Sequence, residues 1–287
     1  MTAPDTTPTR RPQDDELDYY GLTHQGLVRK VNQDHFVVGV LRKHLDIAFT
    51  SLPELEQKRI GDQRLASIAM VADGVGGGNK GEEASRLALE HATAYIGHSL
   101  RVYYGAPATE ADFMEALQDA AMDCHTEVVK HAKEDPDLEG MATTLTLWLG
   151  VWPWVYLVQV GDSRCYLYKD GTLSQVTRDQ TMAEDMIAEG VFTRSQALKT
   201  RWAHVLSSSI GGSQTVPVVS RIPAAWGNIY LLCSDGLTKH VTDEQIKDVL
   251  SSLTSSRDAC ERLLQMALDD GGSDNITIII GRTVRKG

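Results

Sequence analysis

Ser67-Ile-Ala-Met-Val-Ala-Asp73-Gly-Val-Gly-Gly77 is an apolar run that stops on an aspartate and then turns on glycines. The run does not alternate, so it reads as a short strand buried on both faces, and the Asp-Gly pair as the turn that ends it. The same arrangement recurs in Leu157-Val-Gln-Val-Gly161-Asp162 and in Tyr230-Leu-Leu-Cys-Ser234-Asp235-Gly236. It is reversed in Gly271-Gly-Ser-Asp274-Asn275, where the acid precedes a strand. Aspartate is depleted in strands and favoured in turns, so each acid alone is an ordinary turn residue. Together they put carboxylates at the mouths of buried strands, where like charges repel unless cations lie between them.

A site of carboxylate, carbonyl and water oxygens suits hard divalent ions such as Mg²⁺ or Mn²⁺ rather than Zn²⁺. Histidine, the usual zinc ligand, is absent from all four segments. Two such ions about 4 Å apart can hold a bridging water, lower its pKa and clamp a transferring phosphoryl group.

Composition sets the outer bounds. The chain has 287 residues, within the range of one large domain, and 42% of them are hydrophobic, enough for a sizeable core. A formal net charge of −11 argues against nucleic acid as a partner. Cys124, Cys165, Cys233 and Cys260 form no C-x-x-C pair and are expected to be free buried thiols in a reducing compartment. The N-terminus lacks a charged-then-apolar signal pattern. The most apolar stretch, Leu145 to Val160, is broken by Gly150 and Pro153 and is too short for a membrane span. The expectation is a soluble cytoplasmic monomer without membrane association.

Residues 1–16 are rich in Thr, Pro and charge and are expected to form a disordered tail. Strands are predicted around Tyr20, over His35–Val40 and over Ser67–Ala72. The segment 42–64 is polar, with a piece beginning at Pro53 that reads as a short helix. Two long helices follow, about Lys80–Leu100 and Glu110–Lys133. Then come strands over Thr143–Leu149, Val155–Val160 and Arg164–Tyr168, the last leading into the turn Lys169-Asp170-Gly171. Helical pieces are expected at Met182–Glu189 and Ser195–Lys199, and strands at Val216–Ile222 and Ile229–Cys233. Helices at Asp243–Leu250 and Ser256–Leu268 precede a last strand, Ile276–Gly281. Strands, two helices, strands, two helices, strand is not the alternation of a doubly wound sheet. It points to α+β layers in which helix pairs cover sheets.

Six segments in order resemble the signature of the PP2C-type (PPM) metal-dependent protein phosphatases in their bacterial form. Arg29-Lys-Val-Asn32-Gln33-Asp34 is similar to R-x-x-N-E/Q-D, and Asp73-Gly74-Val75-Gly76-Gly77 to D-G-x-G-G. Met141-Ala142-Thr143-Thr144 resembles M-G-T-T, and Gly161-Asp162-Ser163-Arg164 resembles G-D-S-R. Ser234-Asp235-Gly236-Leu237 and Asp274-Asn275-Ile276-Thr277 resemble S-D-G-L and D-N-[IV]-T. The set falls within residues 21–281.

The resemblance implies a single phosphatase domain over 17–285. Its fold would be a four-layer α-β-β-α sandwich, two antiparallel sheets flanked by helix pairs, with an insertion at 42–64 and a flap at 178–212. It implies hydrolysis of phosphoserine and phosphothreonine on proteins by a metal-bridged water at a binuclear Mn²⁺ or Mg²⁺ centre. The partners would be phosphorylated proteins, among them a Ser/Thr kinase or its targets. Asp73 would bridge the two core ions, with the Gly74 carbonyl on one of them. Asp235 and Asp274 would complete the coordination of the first ion, Asp34 would support the second ion, and Asp162 with Asp235 would hold a third, weaker ion. Arg29 would grip the substrate phosphate, a role its guanidinium fork suits. Asn275 would orient Asp274.

The departures from the pattern are Val75, where eukaryotic members carry a histidine proposed as general acid, Gln33 in place of a common glutamate, and Ala142 in place of glycine. Two other readings compete. Gly76-Gly-Gly-Asn-Lys-Gly81 fits G-x-G-x-x-G, but the βαβ context and the later strand-end acid of a nucleotide fold are missing. A non-catalytic module of the same fold would be expected to have lost its aspartates, and none is lost.

Overall fold

The computed structural model describes residues 10–46, 59–77, 79–103, 109–197 and 199–285. Eleven strands and seven α-helices follow in chain order: β1 (Leu17–His24), β2 (Asp34–Asp46), β3 (Arg59–Val75), α1 (Lys80–Tyr103), α2 (Glu110–Glu134), β4 (Ala142–Thr143), β5 (Leu145–Val151), β6 (Trp154–Val160), β7 (Arg164–Lys169), β8 (Thr172–Gln175), α3 (Met182–Ala188), α4 (Arg194–Ala197), β9 (Val218–Pro223), β10 (Ile229–Cys233), α5 (Asp235–Thr238), α6 (Asp243–Ser251), α7 (Ser256–Asp269) and β11 (Ile276–Thr283).

The strands form two antiparallel sheets. One runs β1-β11-β10-β7-β8; the other runs β2-β3-β5-β6-β9, with β4 paired to β3. Alternation of side chains along each strand decides what each face covers. In β11, Ile278 and Ile280 pack with Ile246, Cys260 and Leu263 of α6 and α7, while Ile279 turns to the other sheet. In β3, Met70 packs with Ala88, Cys124 and Val128 of α1 and α2, while Ala69 and Val71 meet Leu232 and Ile279 between the sheets. Helix pair, sheet, sheet, helix pair is the expected four-layer sandwich. The central strands β3, β10 and β11 are apolar on both faces where each sheet is covered on both, which is why the key runs do not alternate. The four cysteines are free and buried.

Local chemistry sets the element ends. Thr109 and Thr242 cap α2 and α6 through capping boxes with Asp112 and Gln245. Asp170 and Gly171 both have positive φ, 48° and 79°, in the two-residue turn joining β7 to β8. Strand β8 and the four-residue α5 are absent from the sequence expectation.

Two segments differ from expectation. Residues 10–16 are packed rather than loose: Glu16 is buried and paired with Arg10, Asp14 pairs with Arg42 at 2.7 Å, and Arg64 donates to the Pro12 carbonyl. The charges that suggested a solvated tail are counter-charges for the β2–β3 hairpin; residues 1–9 lie outside the described part. The segment 42–64 begins and ends as strand, since β2 runs to Asp46 and β3 starts at Arg59. Arg42 and Lys43 pair with Arg64 and Gln63 across register shifts. The short helix expected at Pro53 falls in 47–58, also outside the described residues.

Candidate metal centre

Register brings the acids to one end of both sheets. In the β2–β3 pair, Asp34 is directly opposite Asp73. Asp162 follows Gly161, whose φ of +100° turns the chain as β6 ends. Asp235 opens α5 immediately beyond β10, and Asp274 lies just before β11. The two sheets are tied across this end by Asp34, whose Oδ2 accepts from the hydroxyls of Ser234 at 2.7 Å and Thr277 at 2.8 Å. Asp73 is fixed from the backbone: its N–H donates to Thr144 Oγ1 at 2.9 Å, and the Thr144 and Ser163 hydroxyls are 2.7 Å apart.

Glycines let the loops close on one another. A Cβ on Gly74 would lie 2.1 Å from the Gly81 carbonyl oxygen, and one on Gly236 would lie 1.9 Å from that of Asn275. A Cβ on Gly81 would in turn lie 2.7 Å from the Gly74 carbonyl oxygen. The Gly76–Gly81 stretch is thus a site of backbone packing, and Lys80 Nζ is engaged by the Glu139 carbonyl at 2.7 Å. Gly74 itself sits against Gln33, to whose carbonyl its N–H donates at 3.2 Å.

The carboxylates are not equivalent. Burial, with repulsion from Asp34, Asp235, Asp162 and Asp274, pushes Asp73 well above the usual carboxylate range. Burial raises Asp34 to about 6 despite its two hydroxyl donors. Burial, with the charges of Asp235 and Asp179, raises Asp162 to about 7. Asp274 goes the other way: burial opposes its charge, but bonds from Arg29 and Lys239 hold it below its ordinary value. Arg29 forms a fork on it, Nε to Oδ1 at 2.7 Å and NH2 to Oδ2 at 2.9 Å.

The other four predicted aspartates thus lie close enough for their charge to act on Asp73, with Arg29 at the rim and 53% of its side chain exposed. Asn275 differs in part from expectation. Its backbone N–H touches Asp274, but its side chain staples the loop before β2, accepting from Gln33 N and donating to the Gln25 and Val31 carbonyls.

Sequence reasoning missed three contributors. Lys239 Nζ bridges Asp235 and Asp274, 2.6 Å from each. Arg164 anchors the base of the 178–212 segment through Asp179 at 2.7 Å. His240 holds the loop before Asp274: its Nε2 accepts from Ser273 N, which places its proton on Nδ1, facing Asp270. Arg164 stands inside the G-D-S-R segment, and that membership was the available signal; Lys239 and His240 had none.

The donor set fits hard divalent ions. Every candidate donor is oxygen, the buried Asp34 Oδ1 has no hydrogen-bond partner, and Asp73 carries repulsion that a cation would relieve. Among the described residues, no three His, Cys, Asp or Glu side chains already meet as a ready ligand set. Also among the described residues, no helix is long and apolar enough to cross a membrane.

A family profile described as Protein phosphatase 2C matches residues 58–275. The chain is 31% identical over 268 residues, 93% of its length, to the serine/threonine protein phosphatase PstP of Mycobacterium tuberculosis, of which it spans only 45%. It is 29% identical over 214 residues to a serine/threonine phosphatase, Stp, of Listeria welshimeri, covering 74% of this chain and 83% of that one. Its fold is similar to the crystal structure of the PstP catalytic domain in complex with two manganese ions, with a TM-score of 0.72, 30% identity, and coverage of 94% of this chain and 99% of that one.

Proposed function

The chain belongs to the protein phosphatase 2C family, and on that premise we propose that it removes phosphate from phosphoserine and phosphothreonine on proteins, using two Mn²⁺ or Mg²⁺ ions held by the aspartate ring. One observation carries the reading: Asp34 and Asp73 face each other across a strand pair with neither in a salt bridge among the described residues, and Asp34 Oδ1 has no donor. A fold that keeps such charges buried is arranged for a cation that is not an amino acid.

Asp73 would bridge the ions, Asp235, Asp274 and the Gly74 carbonyl would hold the first, and Asp34 would support the second. Asp162 with Asp235 would hold a third, weaker ion. When bound, the ions act as Lewis acids that activate water and neutralise charge building on the phosphoryl oxygens. The chain's own residues do the positioning. Arg29, exposed at the rim with its Nε–Nη2 fork on Asp274, would turn its remaining donors to a phosphate dianion. Ser234 and Thr277 hold Asp34 with one oxygen free, and Thr144 fixes the backbone of Asp73. Val75 offers no proton, and His240 is committed to Ser273 and Asp270, so neither supplies the proton for the departing serine or threonine oxygen.

The substrates in this reading are phosphoproteins, including a Ser/Thr kinase or its targets, met by a monomer in the cytoplasm. Phosphate release from a phosphothreonine peptide tests it. Release with Mn²⁺ that disappears in EDTA and in Asp73→Asn supports it. Equal release by Asp73→Asn, or none from the wild type with Mn²⁺, refutes it and favours a non-catalytic module.

A further inference from the structure

The aspartate ring is not uniformly anionic. At the Asp34–Asp73 side the Asp34 carboxylate is held by two neutral hydroxyls and Asp73 by a bond to its backbone N–H, and neither is in a salt bridge among the described residues. At the Asp235–Asp274 side they are held by cations. Lys239 Nζ lies 2.6 Å from Asp235 Oδ2 and 2.6 Å from Asp274 Oδ2, while Arg29 covers Asp274 from the other direction, 2.7 Å from Oδ1. The geometry of Lys239 is built in. It follows α5 directly, its backbone N–H donates to the Asp235 carbonyl at 2.9 Å, and its side chain lies one helical turn from Asp235 on the same face. Only a quarter of that side chain is exposed.

A lysine ammonium is a compact point charge, and here it sits on oxygens that a divalent ion at Asp235 and Asp274 would need. An ion entering at Asp34 and Asp73 would displace no salt-bridged cation among the described residues. Resting on the metal-centre reading above, we propose that Lys239 is an internal competitor for the metal. It weakens the position built on Asp235 and Asp274, must swing off both carboxylates for that position to fill, and so makes the two core ions bind unequally. The same ammonium would hold Asp235 and Asp274 together whenever divalent ions are scarce, which makes occupancy of the centre, and with it any metal-dependent activity, responsive to the available Mn²⁺ or Mg²⁺.

Calorimetric titration of Mn²⁺ into EDTA-stripped, re-equilibrated protein tests this with wild type, Lys239→Gln and Lys239→Arg. A charged hydrogen bond is worth about 1.5–3 kcal/mol, so neutralising Lys239 should tighten the weaker of two sites by roughly 10–100-fold and leave the tighter one within about twofold. Lys239→Arg, which keeps the charge, should stay close to wild type. Melting in EDTA gives a second readout: Lys239→Gln should lose stability without metal and recover it with saturating Mn²⁺. Unchanged or weaker Mn²⁺ binding by Lys239→Gln, with wild type binding two ions, overturns the role of Lys239 while leaving the metal centre standing. Absence of Mn²⁺ binding in all three proteins overturns the metal-centre reading and this inference with it.

Discussion

Asp34 and Asp73 are direct cross-strand partners at the open end of the β2–β3 pair, two carboxylates placed face to face by register. Like charges in that position destabilise a sheet, by about 0.2–1 kcal/mol in exposed pairs, and burial makes the repulsion larger. Asp73→Asn should therefore melt above wild type when both are kept in EDTA, by about 2–4 °C for each kcal/mol relieved in a chain of this size. Addition of Mn²⁺ should raise the wild-type melting temperature and leave that of the variant nearly unmoved. A lower melting temperature for the variant in EDTA would show that Asp73 stabilises the fold by itself.

The raised carboxyls set a pH dependence. Asp34 at about 6 and Asp162 at about 7 both lie above their ordinary 3.8, so the folded chain holds protons that the unfolded chain releases. Their stabilising contribution is complete below about pH 4 and is lost as pH rises through about 6 to 7. Thermal melts in EDTA should show this decline, and Asp162→Asn should flatten its upper part. Metal binding runs the opposite way, because protons must leave before the oxygens can coordinate: apparent Mn²⁺ affinity should rise across the same window. Affinity that is flat from about pH 5 to 8 would contradict this.

Arg29 reaches solvent while gripping Asp274. Arg29→Ala should raise KM for a phosphopeptide about tenfold or more, the loss of a charged hydrogen bond, with a smaller change in kcat. Lysine at this position should recover part of the loss, since it restores charge but not the fork. Steady-state kinetics with a phosphothreonine peptide separates the two parameters.

Gly236 separates packing from chain flexibility. Its Cβ position lies 1.9 Å from the Asn275 carbonyl oxygen, so alanine must push α5 away from the start of β11 and part Asp235 from Asp274. Gly236→Ala should cost about 1–3 kcal/mol or more and reduce Mn²⁺ binding. Gly97, inside α1 with open space around its Cβ position, is the contrast: Gly97→Ala should be neutral or stabilising by up to about 1 kcal/mol. Denaturant unfolding of the two variants gives the comparison.

What could be read from the sequence was what local rules write there. The Asp73, Asp162 and Asp235 turns announce themselves because an apolar run ends on an acid and glycine, and β3, β10 and β11 follow from runs too apolar to alternate. Helix ends were legible within a few residues, and the structure shows caps such as Thr109 and Thr242 at them. Strand β8, Thr172–Gln175, was not, because a four-residue polar edge strand has no period to detect. Residues 10–16 were misjudged because composition counts charges without their partners, and Arg42 and Arg64 lie far along the chain. At the centre, Asp73, Asp162, Asp235 and Asp274 were marked by strand-end turns, and Asp34 by the resemblance of its segment to the family motif. The hydroxyls of Ser234 and Thr277 on Asp34 were hidden, because those contacts span 200 and 243 residues. Lys239 was hidden for a related reason: its contact with Asp274 exists only once α5 and the start of β11 are brought together.

The most direct test of the centre is the number of Mn²⁺ ions bound per chain, counted by equilibrium dialysis with metal analysis for wild type and Asp73→Asn at neutral pH. The expected result is at least two ions on the wild type, with the bridged pair lost from the variant. Fewer than two ions on the wild type, or the same number on Asp73→Asn, would contradict a binuclear centre built on Asp73.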